Sequence, residues 1–92
     1  MEDTKVIALR KPVQFGSVTY DKLELREPTA AEVVLAQKEG SLNGGMASNI
    51  VLIAVVTAIP KPAVEKMGIR DVEEASRFLA GFMSAPEIGS TS

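Results

Sequence analysis

Acid–base catalysis needs a titratable group held near neutrality, and covalent catalysis needs an activated thiol, hydroxyl, amine or carboxylate. This chain meets neither demand readily. It contains no His and no Cys, which removes imidazole chemistry, thiol nucleophiles, disulfides and the usual zinc ligands. Carboxylates remain, yet Glu73 and Glu74 are sequence neighbours; on a helix they point about 100° apart and form no facing dyad by themselves. The other acidic residues fall at expected caps, strand exteriors and helix surfaces. Gly44-Gly45 lacks the Lys-Ser/Thr that follows the glycines of a phosphate-binding loop. No catalytic residue, metal ligand or cofactor is assigned, and an enzyme is not expected.

The composition narrows the remaining classes. Ninety-two residues, 46% apolar and 24% charged, suit one small globular domain. Ten basic against twelve acidic residues leave a net charge of −2, the wrong sign for a nucleic-acid surface. Four scattered aromatics, Phe15, Tyr20, Phe78 and Phe82, are too few for base-stacking platforms. Without cysteine nothing points to an oxidising compartment, and the polar residues at the start of the chain give no sign of a signal peptide. A soluble intracellular protein is the expectation. Between Gly40 and Pro60 no residue is charged, but the first half of that window reads GSLNGGMASN. Only Ile50 to Ile59 is nearly all apolar, about half of what a membrane span requires, so a buried helix is expected there.

The elements that would position any site follow from local patterning. Thr4 to Leu9 and Val18 to Leu25 read as strands, joined by turn-forming Lys11-Pro12 and Phe15-Gly16-Ser17 into an antiparallel hairpin. Val18 and Tyr20 have one parity while Leu23 and Leu25 have the other, so a bulge near Asp21-Lys22 would bring both pairs to one face. Thr29 followed by Glu32 is a capping box that starts a helix, with Gly40 placed as its C-cap. After the Asn43-Gly44-Gly45 joint, Met46 to about Ala58 suits a second helix. Ile50 to Val56 is also good strand sequence. Its place between helical segments and the length of its window favour the helix. A helix apolar all round must be central, or must offer its surface to a partner. Pro62 opens a short helical turn ending at Met67-Gly68. Asp71 is placed as N-cap of the last helix, with Glu73 and Glu74 near its N-terminus and Val72, Ala75, Leu79, Phe82 and Met83 on one face. The fold class is therefore α+β, an N-terminal antiparallel β-hairpin followed by a small bundle of three to four helices. Residues 1–85 form one domain and residues 86–92 a disordered polar tail.

Two features suggest interaction. Arg26 stands where a strand gives way to a helix, as a surface residue able to pair with Glu24 or Glu32. The long apolar helix has only one other long amphipathic helix to cover it, and uncovered apolar surface marks a partner site.

The stretch Leu23, Leu25, Arg26, Pro28 and Thr29, an L-x-L-R-x-P-T pattern with Gly16 in the preceding turn, resembles the small tail assembly chaperones of Mu-like and P2-like contractile-tailed phages and prophages, the E-type tail assembly proteins. Asp71, Phe78 and Phe82 match the later D…F pattern, and the similarity covers about residues 5–83. The resemblance implies a non-enzymatic assembly factor that binds the tape measure protein and keeps its apolar helices soluble until tail-tube subunits polymerise around it. It would act in the host bacterial cytoplasm and be absent from the mature virion. The resemblance also implies contact with the tail tube protein, a longer frameshifted form of the chain as a partner, and homo-oligomers. Reversible binding suits an adaptable surface, to which Met46, Met67 and Met83 would contribute where they are not core. The candidate partner-binding residues are Ile50, Ile53 and Val56 on the central helix and Phe78 and Phe82 on the last.

Two other classes compete. A ring-forming structural component of the tail would persist as a homo-oligomer in purified particles. A DNA-binding regulator would need several Lys or Arg on one face of a recognition helix, and the last helix offers only Arg77 beyond its start.

Overall fold

The first strand runs well past the β-branched segment that begins it. The computed structural model describes residues 3–83, the last of these by its backbone only. The polar tail read at residues 86–92 lies outside the described residues. β1 spans Thr4–Phe15, not Thr4–Leu9, and pairs antiparallel with β2, Val18–Arg26. The two are joined by a tight turn at Gly16-Ser17 rather than by a long connection. Gly16 adopts φ +65°, the positive value that the first position of such a turn demands.

The irregularity in the ladder belongs to β1. Pairing runs from Thr4↔Arg26 to Ala8↔Lys22, breaks, and resumes at Val13↔Tyr20. Leu9 to Pro12 thus stand opposite Asp21 alone, so the extra residues are not in the Asp21-Lys22 segment that the alternation of β2 suggested. Pro12 has no N–H for a ladder, and a bulge is where a sheet tolerates it. Ile7, Leu9, Val13, Leu23 and Leu25 are all buried, whereas Tyr20 is half-buried and Val18 stays exposed. The bulge therefore unites the leucines of β2 with β1, without bringing Val18 to the core face.

Four helices follow. α1, Ala30–Asn43, starts at the Thr29 capping box and continues through Gly40. Gly40 is therefore a contact residue and not the C-cap: a Cβ there would lie 3.0 Å from Ser48 Cβ on the next helix. The chain reverses at Gly44, whose φ of 98° and ψ of 170° lie in a region open essentially to glycine. Its N–H donates to Gly40 O at 2.9 Å. α2, Gly45–Thr57, is the expected apolar helix. It ends on left-handed Ala58, and the next N–H, of buried Ile59, donates to Ala54 O at 3.1 Å, the bond of a Schellman motif. α3, Lys61–Glu65, is capped by Pro60, so Pro62 is its second residue and not its first.

α4, Ile69–Met83, begins two residues before Asp71, which sits in the first turn rather than at the N-cap. Its strongly amphipathic sequence buries Val72, Ala75 and Leu79 and leaves Phe82 half-buried; the Met83 side chain lies outside the described residues. α2 and α4 pack beneath the hairpin, α3 closes one side against β1, and α1 packs chiefly on α2. The core accordingly forms between Leu23, Leu25 and Ile7 of the sheet, Leu52, Ile53 and Val56 of α2, and Val72, Ala75 and Leu79 of α4.

Candidate functional site

The L-x-L-R-x-P-T stretch joins β2 to α1, and each of its residues has a definable physical task. Leu23 and Leu25 are fully buried and hold the hairpin to the helices. Arg26 selects Glu32, not Glu24, in a bidentate pair: Nη1 donates to Oε1 at 2.8 Å and Nη2 to Oε2 at 2.7 Å. Glu24 is instead 3.3 Å from Lys22. Pro28 follows the strand, and Thr29 caps the helix reciprocally. The Glu32 N–H donates to Thr29 Oγ1 at 3.2 Å, and the Thr29 N–H donates to Glu32 Oε1 at 2.9 Å. The Arg26 hydrogen bonds, then the Thr29 N–H, draw the Glu32 carboxyl from its ordinary 4.5 down to about 2. Glu32 in turn holds the Arg26 guanidinium above its ordinary value. This junction sets the direction in which α1 leaves the sheet.

A second junction ties the bulge to α4. Asp71, 1% exposed, is the buried charged residue of the described core. Its Oδ2 accepts the Arg10 backbone N–H at 3.0 Å, and its Oδ1 accepts Arg10 Nη1. The break in the ladder places Arg10 within reach of this carboxylate. Both Asp71 oxygens are thereby engaged, and the Arg10 guanidinium is held above its ordinary value chiefly by that hydrogen bond. Among the described residues no group of three or more His, Cys, Asp or Glu side chains could hold a metal ion.

Four of the seven exposed large apolar side chains of the described residues lie on the α1–α2 hairpin. Val34, Leu35, Leu42 and Met46 are exposed there, Leu42 by 72%. Between the two helices and the α2–α3 corner runs a groove of about 560 Å³ lined by Leu35, Val51, Val55, Ala58, Ile59 and Pro60. Glu39 and Lys61, 3.6 Å apart, stand at its rim. Ala54 lies on its floor and Ala58 on its wall, small residues that keep it open.

The candidate partner-binding residues separate in the structure. Ile53 is fully buried and Val56 is buried beside it, because the hairpin and α4 cover that side of α2. In this conformation Ile53 is closed to solvent, while Val56 lines a shallow depression beside Val6 and Thr57. Ile50 is half-buried and packs against the core. Phe78 and Phe82, both half-buried, meet edge to face at 5.3 Å on α4. Met67 is core and Met46 exposed.

The groove residues Val51 and Val55 escape a reading by periodicity, because the central helix is apolar on every side and its pattern names no face. One signal was present. Val33, Val34 and Leu35 are consecutive, and three successive helical residues span about 200°, so one neighbouring helix cannot cover all three. The burial of Asp71 left no local trace, since its partner is 61 residues away.

The molecule is thus a small α+β fold with an open apolar groove on a helical hairpin. A family model described as phage tail assembly chaperone proteins, E, or 41 or 14, matches residues 6–84. That is most of the chain, and the chain belongs to this family of phage tail assembly chaperones. Neither the curated proteins nor the solved structures compared with it give a match. No helix among the described residues is long and apolar enough to cross a membrane.

Proposed function

We propose that the chain binds the tape measure protein during phage tail assembly and keeps its apolar helices soluble until the tail tube polymerises around them. In this reading it does no covalent chemistry, works in the host cytoplasm and leaves before the virion is complete. Contacts with the tail tube protein, with a longer frameshifted form of itself and with further copies belong to the same reading. Family membership supports the assembly role. The observation that carries the binding mode is the α1–α2 groove, with exposed Leu35 on one wall and half-buried Val51 and Val55 on the other. An apolar helix laid there would bury these side chains against its own, the helix-in-groove mode of recognition. Its residues replace Ile53 and Val56 as the proposed contacts on α2, while Ile50 remains beside them.

The test is co-expression with the tape measure protein, followed by pull-down and light scattering. The expected result is a soluble complex that Leu35→Asp abolishes while the free variant still unfolds cooperatively by circular dichroism. A tape measure that stays insoluble beside this chain would overturn the proposal. So would a complex indifferent to Leu35→Asp. A closed ring of this chain alone, retained in purified particles, would replace it with a structural role.

A further inference from the structure

The cations of this chain are unevenly satisfied. Lys22, Arg26 and Lys61 have carboxylate partners, and Lys66 lies over the Phe15 ring at 5.9 Å. Among the described residues Lys5, Lys11, Lys38, Arg70 and Arg77 have no ion pair. All of these except Lys38 line two contiguous depressions between β1 and α4, which share Arg10 and Arg70. The carboxylates on that face do not balance them. Asp71 is buried under Arg10, and Glu74 reaches the same guanidinium at 3.5 Å, which leaves Glu73 as the free acid. Half of the chain's ten basic residues therefore gather on one face of a molecule whose net charge is −2.

We propose that this β1–α4 face is a docking site for an acidic helical segment of a protein partner. Arg70 and Arg77 are seven residues apart on α4, about 10 Å along its axis. That spacing matches carboxylates two turns apart on a facing helix better than it matches one compact anion. Lys5 and Lys11 extend the positive strip along β1, and half-buried Phe78 supplies an apolar contact beside Arg77. Nucleic acid fits less well. Phe78 is paired edge to face with Phe82 rather than open for stacking, and the negative charge of the remaining surface repels a long polyanion. The site is separate from the α1–α2 groove and does not depend on what that groove binds.

The probe is a fluorescent helical peptide of about four turns with Glu two turns apart and Leu between them, and a twin in which Gln replaces Glu. Anisotropy titrations against the full chain are expected to show binding of the Glu peptide and at least about tenfold weaker binding of the Gln twin. Raising the salt from about 50 to about 300 mM weakens the complex severalfold. Arg70→Gln with Arg77→Gln loses at least about tenfold in affinity with an unchanged thermal melt, whereas Lys38→Gln leaves the peptide affinity unchanged. Equal affinity for the two peptides overturns the proposal, as does an Arg70→Gln, Arg77→Gln variant that binds normally. Tighter binding of a single-stranded DNA oligonucleotide would make the face a nucleic-acid site. Salt-sensitive self-association lost in the double variant would make its occupant a second copy of the chain.

Discussion

Glu32 concentrates three local demands in one carboxylate: it completes a helix cap, pairs with Arg26 and lies in the positive field of a helix N-terminus. Its carboxyl sits near 2 against an ordinary 4.5, so between those values the unfolded chain binds the proton more readily than the folded one. Stability from this group is fully present above about pH 4.5 and is lost as pH falls toward about 2. Glu32→Gln is therefore less stable than the parent at neutral pH, and the difference shrinks as the solution is taken to about pH 2. Urea midpoints at the two pH values measure this directly. A gap that persists unchanged at low pH would mean that the side chain acts through packing and not through charge. Asp71 shows the complementary arrangement. It is buried, but its acceptors are matched to the N–H that the bulge in β1 releases and to the side chain of the same residue. The strand irregularity and the buried acid are thus joined through one residue, Arg10.

Two helix ends with opposite defects set the geometry of the α1–α2 hairpin. Gly44 alone separates the helices, at a φ of 98°, and Gly40 lets them approach at Ser48. Gly44→Ala places a Cβ in a region closed to it and costs about 1–3 kcal/mol. Ala58 is the reverse case, a left-handed residue with φ 60° where glycine is favoured. Ala58→Gly is expected to stabilise the domain by about 1 kcal/mol, the strain of a left-handed L-residue less the entropy that glycine loses on folding. Thermal melts of the two variants should move in opposite directions. A fall in both would show that Ala58 Cβ contributes packing at the groove that outweighs its backbone strain. The functional link is direct, because Ala58 and the α1–α2 separation shape the wall and width of the apolar groove.

The whole molecule divides its apolar residues between holding the fold and facing outward. Ile53, buried from every side, belongs to the first group: Ile53→Ala costs about 2–5 kcal/mol, a large share of the roughly 5–15 kcal/mol available to a domain. Leu35 is 49% exposed, and Leu35→Asp costs less, about 1 kcal/mol in helix propensity and lost packing. Chemical denaturation of the two variants separates the roles, and equal losses would mean that α1 is integral to the core. The open face and the basic face occupy different elements, α1–α2 and β1–α4, within an elongated body of 49 × 33 × 21 Å.

Much of this architecture was legible in the chain itself. The hairpin, the capping box at Thr29, the central apolar helix and the amphipathic final helix rest on near-neighbour chemistry, where spacing of one to four residues decides the outcome. The family pattern around Arg26 is legible for the same reason, since Arg26 and Glu32 are only six residues apart. What the sequence left open depended on contacts between distant segments. The bulge lies in β1, where Arg10 meets Asp71 across the fold, and Gly40, which continues the helix, faces Ser48 of the next one. The exposed side of α2 was likewise a tertiary outcome. A helix with isoleucine, valine and leucine on all sides has no intrinsic direction, and only the placement of the hairpin and α4 buried Ile53 while leaving Val51 and Val55 to the groove.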